Sequence, residues 1–169
     1  MRHILFLKHW QLLAIIFLPA ILVDVFSTDI VDIWHEISAT WGAVVYFIWL
    51  YLVGISFSEK FDKGLLLFKA SFFYIVSSTL IFSFGHQSEN SENTIWLISC
   101  ALLGLLASFY IIYFVALCLV SFSKNKGDHD FSFLKFFLCF LFFPVGICLL
   151  QPRINRYIGD WTKENSFDS

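Results

Sequence analysis

The segment Phe136–Trp161, FFLCFLFFPVGICLLQPRINRYIGDW, decides how this chain is threaded. It opens as an apolar run, breaks at Pro144 and Gly146, and ends among polar residues that include Arg153 and Arg156. If the run crosses a bilayer, the C-terminus lies on the far side. If it dips in and returns, the C-terminus stays on the near side, and a different compartment supplies any partner.

Composition makes a bilayer the relevant solvent. Of the 169 residues, 59% are hydrophobic and only 14% are charged, whereas a soluble domain carries roughly a quarter charged residues. The apolar residues also come in long runs and not as one stripe of a helical period. The chain is therefore read as all-α, a polytopic integral membrane helical bundle of one compact domain. Its slightly negative net charge gives no reason to expect nucleic acid as a partner.

Four runs approach the ~20 apolar residues needed for a crossing helix: residues 10–26, 37–57, 64–84 and 95–122. A fifth apolar segment, 131–150, is broken by Pro144 and Gly146. Residues 1–150 are thus expected to be membrane-embedded, and 151–169 to form an interfacial helix and a flexible tail. The basic, apolar start lacks a good small-x-small cleavage site around Leu18 and Ala20, so it is read as a retained anchor.

Sidedness follows from Lys and Arg near helix ends, with acidic residues counting little. With the N-terminus cytoplasmic, Arg2, Lys8, Lys60, Lys63, Lys69, Lys124, Lys126 and Lys135 all fall on the cytoplasmic side. The opposite loops carry Asp29, Asp32, Glu36, Glu89 and Glu92 without a single Lys or Arg. A crossing of 131–150 puts Arg153, Arg156 and Lys163 outside, against this rule; a return keeps all 11 basic residues inside. The charge count favours a re-entrant or shallow segment over a fifth span, with its non-helical turn packed against other helices. Gln151-Pro152 then resembles a helix start, with Pro at the first position. Ile154, Tyr157, Ile158 and Trp161 recur opposite Arg153, Asn155, Arg156 and Asp160, a pattern suited to the interface. The plainest location is a bacterial inner (plasma) membrane, with both termini cytoplasmic.

Chemistry-bearing residues are few. Asp24 is the acid most embedded in an apolar run. Intramembrane carboxylates mark ion or proton pathways, but Asp24 also lies within a turn of the outer surface, where Pro19 can tilt it toward water. Pro19, Asp24, Pro144 and Gly146 are the candidate pathway or hinge positions. Asp32, His35 and Glu36, with His86 from the other outer loop, form a weak candidate metal site without recognised ligand spacing. GISFS, around Ser56, faintly resembles a nucleophile motif, but it lacks the second Gly and has no His–Asp pair on its side. Cys100, Cys118, Cys139 and Cys148 all lie in apolar runs and read as small hydrophobes. No cofactor is implied.

Two small-residue ridges, Ser38/Gly42 and Cys100/Gly104/Ser108, have the four-residue spacing that lets helices approach closely in lipid. Lys69, Lys135, Arg153, Arg156 and Trp161 are expected to anchor the chain at the interface. The 22 Phe residues read as lipid-facing and gap-filling bulk. With no catalytic constellation, the chain is read as an accessory or scaffold subunit and not as an enzyme, its partners being the lipid bilayer and either itself or another membrane protein. An oligomeric pore, small transporter or membrane-permeabilising effector is the alternative, and a membrane-embedded enzyme on an apolar substrate the second.

Overall fold

In a computed structural model of the chain, residues 7–26, 31–58, 62–85, 94–125 and 132–167 are described. They form six helices: α1 (His9–Phe26), α2 (Val31–Phe57), α3 (Asp62–Gly85), α4 (Thr94–Asn125), α5 (Phe133–Leu141) and α6 (Val145–Phe167). Three of these contain stretches long and apolar enough to cross a membrane, namely Ile37–Phe57, Gly64–Ile81 and Trp96–Lys124. The fourth expected span, Trp10–Val25 in α1, is apolar but shorter. α2 starts at Val31 and not at residue 37, because VDIWHE contains no helix breaker and simply extends the helix beyond its apolar part.

The helices stack in chain order, α1 on α2, α2 on α3 and α3 on α4, and α4 also packs on α2. α5 lies against α4, and α6 lies against α5 and α1. Tyr74 hydroxyl donates to the Cys100 carbonyl at 3.0 Å, and Tyr110 hydroxyl to the Gly64 carbonyl at 3.2 Å, so α3 and α4 run antiparallel.

The buried core is confined almost wholly to the half of the bundle that bears the basic residues. Trp49, Leu50, Val53 and Phe57 of α2 meet Phe68 of α3 and the buried side chains of Ile111, Ile112, Phe114–Ala116 and Cys118–Val120 of α4. Aromatic rings fill this space. Tyr51 stacks on Phe72 at 4.3 Å, Phe68 on Phe114 at 4.6 Å, and Phe57 meets Phe122 edge-on at 4.9 Å. Among the described Phe residues, Phe57, Phe68, Phe114, Phe136 and Phe140 fill the interior, while Phe17, Phe73, Phe109 and Phe142 are exposed. Gly54 makes room for one of these rings, since a Cβ there would lie 2.5 Å from Phe68 Cζ. Toward the other end α4 is bare: Trp96 is 74% exposed and Leu106 65% exposed.

The broken segment is a helical hairpin. α5 has 9 residues, about 13.5 Å at the α-helical rise and far short of a ~30 Å hydrocarbon core. After Leu141 the chain turns through Phe142–Pro144, and the Phe143–Pro144 peptide is cis. The tip sits at mid-height: Phe143 is 4.5 Å from Tyr46 and 5.8 Å from Phe17, ring centre to ring centre. α6 then runs back until Tyr157 reaches Phe122, near the end of α4, at 5.4 Å. The returning arm therefore ends level with the C-terminal end of α4, while α5 begins with Phe133 against Tyr113 in the middle of α4. Three N–H groups at the turn are paired. Phe142 N–H donates to Leu138 O at 2.8 Å, Gly146 N–H to Phe142 O at 3.0 Å, and Ile147 N–H to Pro144 O at 3.1 Å. Gly146 is needed for closeness: a Cβ there would overlap the Cys139 carbonyl of α5.

The helix start expected at Gln151-Pro152 does not occur. α6 is continuous from Val145 to Phe167 with Pro152 inside it, so residues 150 and 151 are not a boundary. Pro152 removes the N–H that would bond to the Cys148 carbonyl, a defect that normally kinks or ends a helix. Here Leu150, Gln151 and Ile154 on either side of it are buried against the bundle, and tertiary packing overrides the local preference.

Two glycines separate packing from composition. Gly146→Ala should lower the unfolding free energy in detergent by about 1–3 kcal/mol, as overpacking does. Gly104→Ala, at a glycine with open space around it, should leave it within about 0.5 kcal/mol. Thermal unfolding of both purified variants checks the contrast; equal effects would contradict the hairpin.

Candidate functional site

The polar chemistry in the described interior converges on one buried cluster beneath the hairpin. Gln151 of α6 has no exposed surface. The Trp49 indole N–H donates to Gln151 Oε1 at 3.0 Å. Gln151 Nε2 donates to the Leu7 carbonyl at 2.9 Å and to Asn155 Oδ1 at 3.1 Å. Asn155 Nδ2 also reaches the Leu7 carbonyl, at 3.3 Å. One side-chain amide therefore joins α6, α2 and the entry to α1.

Local structure sets up each partner. Leu7 precedes α1, whose start is fixed when Lys8 N–H donates to Gln11 Oε1 at 2.9 Å, half of a capping box. This leaves the Leu7 carbonyl outside the helix and able to accept from the two amides. Gln151 and Asn155 are four residues apart on a helix, so they share a face. A second bond sits one turn higher: Tyr46 hydroxyl donates to the Phe140 carbonyl at 2.7 Å. Phe140 is in the last turn of α5, where carbonyls have no intrahelical partner. Tyr157 and Ser123 hydroxyls approach to 3.4 Å and tie α6 to the end of α4.

Chemically the cluster offers amides, an indole and a phenol. Among the described residues, every buried side-chain N or O atom has a hydrogen-bond partner. The described residues also contain no group of three His, Cys, Asp or Glu side chains able to hold a metal ion.

The sequence candidates are dispersed. Asp24 is exposed in the last turn of α1, and Pro19 is half-buried mid-helix. Asp32, His35 and Glu36 fall in the first turns of α2, with their side chains outside the described residues, as is His86 altogether. Ser38 is buried, and a Cβ on Gly42 would lie 3.4 Å from the Ile16 carbonyl, so that ridge faces α1. The other ridge does not meet a helix backbone. Gly104 has no neighbour within 4 Å of a built Cβ. Cys100, Gly104 and Ser108 instead line an open cleft of about 400 Å³ with Phe47, Ile75 and Ser78. Lys69, Lys135 and Arg156 are exposed, Arg153 is half-buried, and the Trp161 side chain lies outside the described residues.

The cluster itself is what sequence reasoning missed. Gln151 had been assigned to a helix start and Asn155 to the polar face of an interfacial helix, yet both turn inward. The available signal was a Gln and an Asn at helical spacing beside Ile154 and Ile158, since polar side chains in lipid bond across helices.

The architecture is all-α, with three helices long and apolar enough to cross a membrane and a shorter apolar one. No protein-family model matches the chain, and no curated protein or solved structure is found similar to it.

A double-mutant cycle measures the clasp. Trp49→Phe and Gln151→Leu should each destabilise the purified protein, by about 1–3 kcal/mol. Their effects should be non-additive by about 1 kcal/mol, as for interhelical bonds in lipid. Strict additivity in detergent unfolding would show that the two side chains do not share a bond.

Proposed function

We propose that this chain is a non-catalytic component of a membrane, an accessory or scaffold subunit that acts through other membrane or cytoplasmic proteins. The observation that supports this reading is that, among the described residues, each buried side-chain N or O atom already has a hydrogen-bond partner. A membrane enzyme needs convergent polar groups left for substrate, and the clasp's amides and indole are committed to one another. A pore within a single copy needs a polar path, whereas the described centre is filled by Trp49, Phe68, Ile111 and Val115.

In this reading the α5–α6 hairpin enters the bilayer from the basic side and returns to it. Its support is the exposed apolar tip, with Phe142 and Val145 each 64% exposed at mid-height, where water would be a poor neighbour. The shared level of Leu7, Ser123 and α6 supports a common side for the N-terminal end and the C-terminal helix, and the Lys and Arg asymmetry favours the cytoplasm for that side. The exposed Lys135 and Arg156 can reach headgroups from the hairpin's base while their stems stay in lipid.

Two measurements test it. A tag after Ser169 should be unreachable by an impermeant reagent in sealed cells and reachable after permeabilisation. A stoichiometric second membrane protein should co-purify from native membranes and lose stability when this chain is deleted. External labelling of the tag would overturn the threading. Leakage of a small dye from liposomes holding the purified chain alone would replace the scaffold reading with a pore.

A further inference from the structure

The bundle is not the same width at its two ends. Above the level of the hairpin tip, set by Phe17 and Tyr46, only α1, α2, α3 and α4 continue. Below it α6 joins them, beside Trp49, Leu7 and Phe122, while α5 crosses the middle of α4 beside Tyr113 and Trp49. Among the described residues the basic half of the bundle thus holds α6 next to α1–α4, with α5 at its upper edge, whereas the other half holds α1–α4.

The added pair is a filled body and not a loose flap. Phe136, Phe140, Ile147, Leu150 and Ile154 are buried at its contact with the bundle, α5 and α6 touch backbone to backbone at Gly146, and the Gln151 clasp fixes its base. Its outer surface is apolar, with Leu134, Leu138, Leu141, Phe142, Val145 and Leu149 exposed. Such a body, seated in a bilayer, displaces acyl chains from one leaflet only.

We infer that the chain is a one-leaflet wedge, which favours and senses a bilayer that is convex on the side bearing its basic residues. This rests on the re-entrant membrane reading above. A helix about 10 Å across occupies roughly 80 Å², so α6 alone adds about 80 Å² to one leaflet beside the ~320 Å² that four helices take from each, and the crossing α5 adds to the same side. About a quarter as much area again, at the least, is thus inserted on one side. A bilayer relieves unequal leaflet areas by bending toward the fuller leaflet, and no ligand, metal or second protein is required. The same insertion asymmetry makes the binding partner a lipid surface of defined curvature.

The experiment uses the full chain, carrying one fluorophore-labelled tag in the α4–α5 connection or after Ser169, reconstituted into vesicles of phosphatidylcholine with a minor phosphatidylglycerol fraction. Protein per unit membrane area and tag accessibility are read vesicle by vesicle across a range of sizes. The expected result is a several-fold higher density on the smallest vesicles than on the largest, with both tags facing outward there and the orientation bias fading as size grows. Gly146→Leu, which forces the hairpin open, should flatten that dependence. If this variant does not reconstitute, the wild-type size series decides alone. Both tags on one side with density and orientation independent of size would overturn the wedge and leave the hairpin topology standing. Tags on opposite sides would overturn both.

Discussion

A polypeptide that reverses direction inside an apolar bundle must find partners for every backbone group of its turn, because no water is there to supply them. Everything unusual about this protein follows from how that requirement is met at Phe142–Pro144. The turn's own N–H groups donate back into α5 and across the bend, and Tyr46 reaches in from α2 to cover a carbonyl at the end of α5. Pro144 contributes no N–H to be satisfied. Gly146 lets α6 leave against the backbone of α5, so the reversal takes little space.

Once the chain turns at mid-height, the rest of the packing is constrained. The returning arm must fit beside α1 and α2, and aromatic rings are the filler: Tyr46 against Phe143, and Trp49 against Phe140. The arm must also be held at its base, and a membrane-embedded bundle gains little from excluding water between helices. A hydrogen-bonded amide is the available alternative. Gln151 serves three elements at once, and its burial is tolerable because its hydrogen bonds with Trp49, Leu7 and Asn155 use both ends of the amide.

Function follows from the same distribution of material. The dense core, the hairpin and the basic side chains share one half of the molecule, while α4 in the opposite half exposes Trp96, Leu102 and Leu106. In the described interior the clasp's amides and indole join helices, and α4 and the hairpin expose apolar side chains, which supports the proposed scaffold or bilayer-shaping role.

Much of the fold was legible in the residues themselves. Long apolar runs marked the helices, Pro144 and Gly146 marked the break, and the Lys and Arg positions argued for a return. These properties are local or additive: a run is apolar whatever its neighbours, a Pro lacks its N–H in any context, and charge asymmetry needs only a count. The clasp and the placement of the core were decided by tertiary structure. Trp49 and Gln151 are 102 residues apart, and Leu7 and Gln151 are 144 apart, so no periodicity within one helix encodes their meeting. The continuity of α6 through Pro152 has the same origin, because local propensity ends a helix there and only burial of Gln151 and Ile154 against distant helices carries it on.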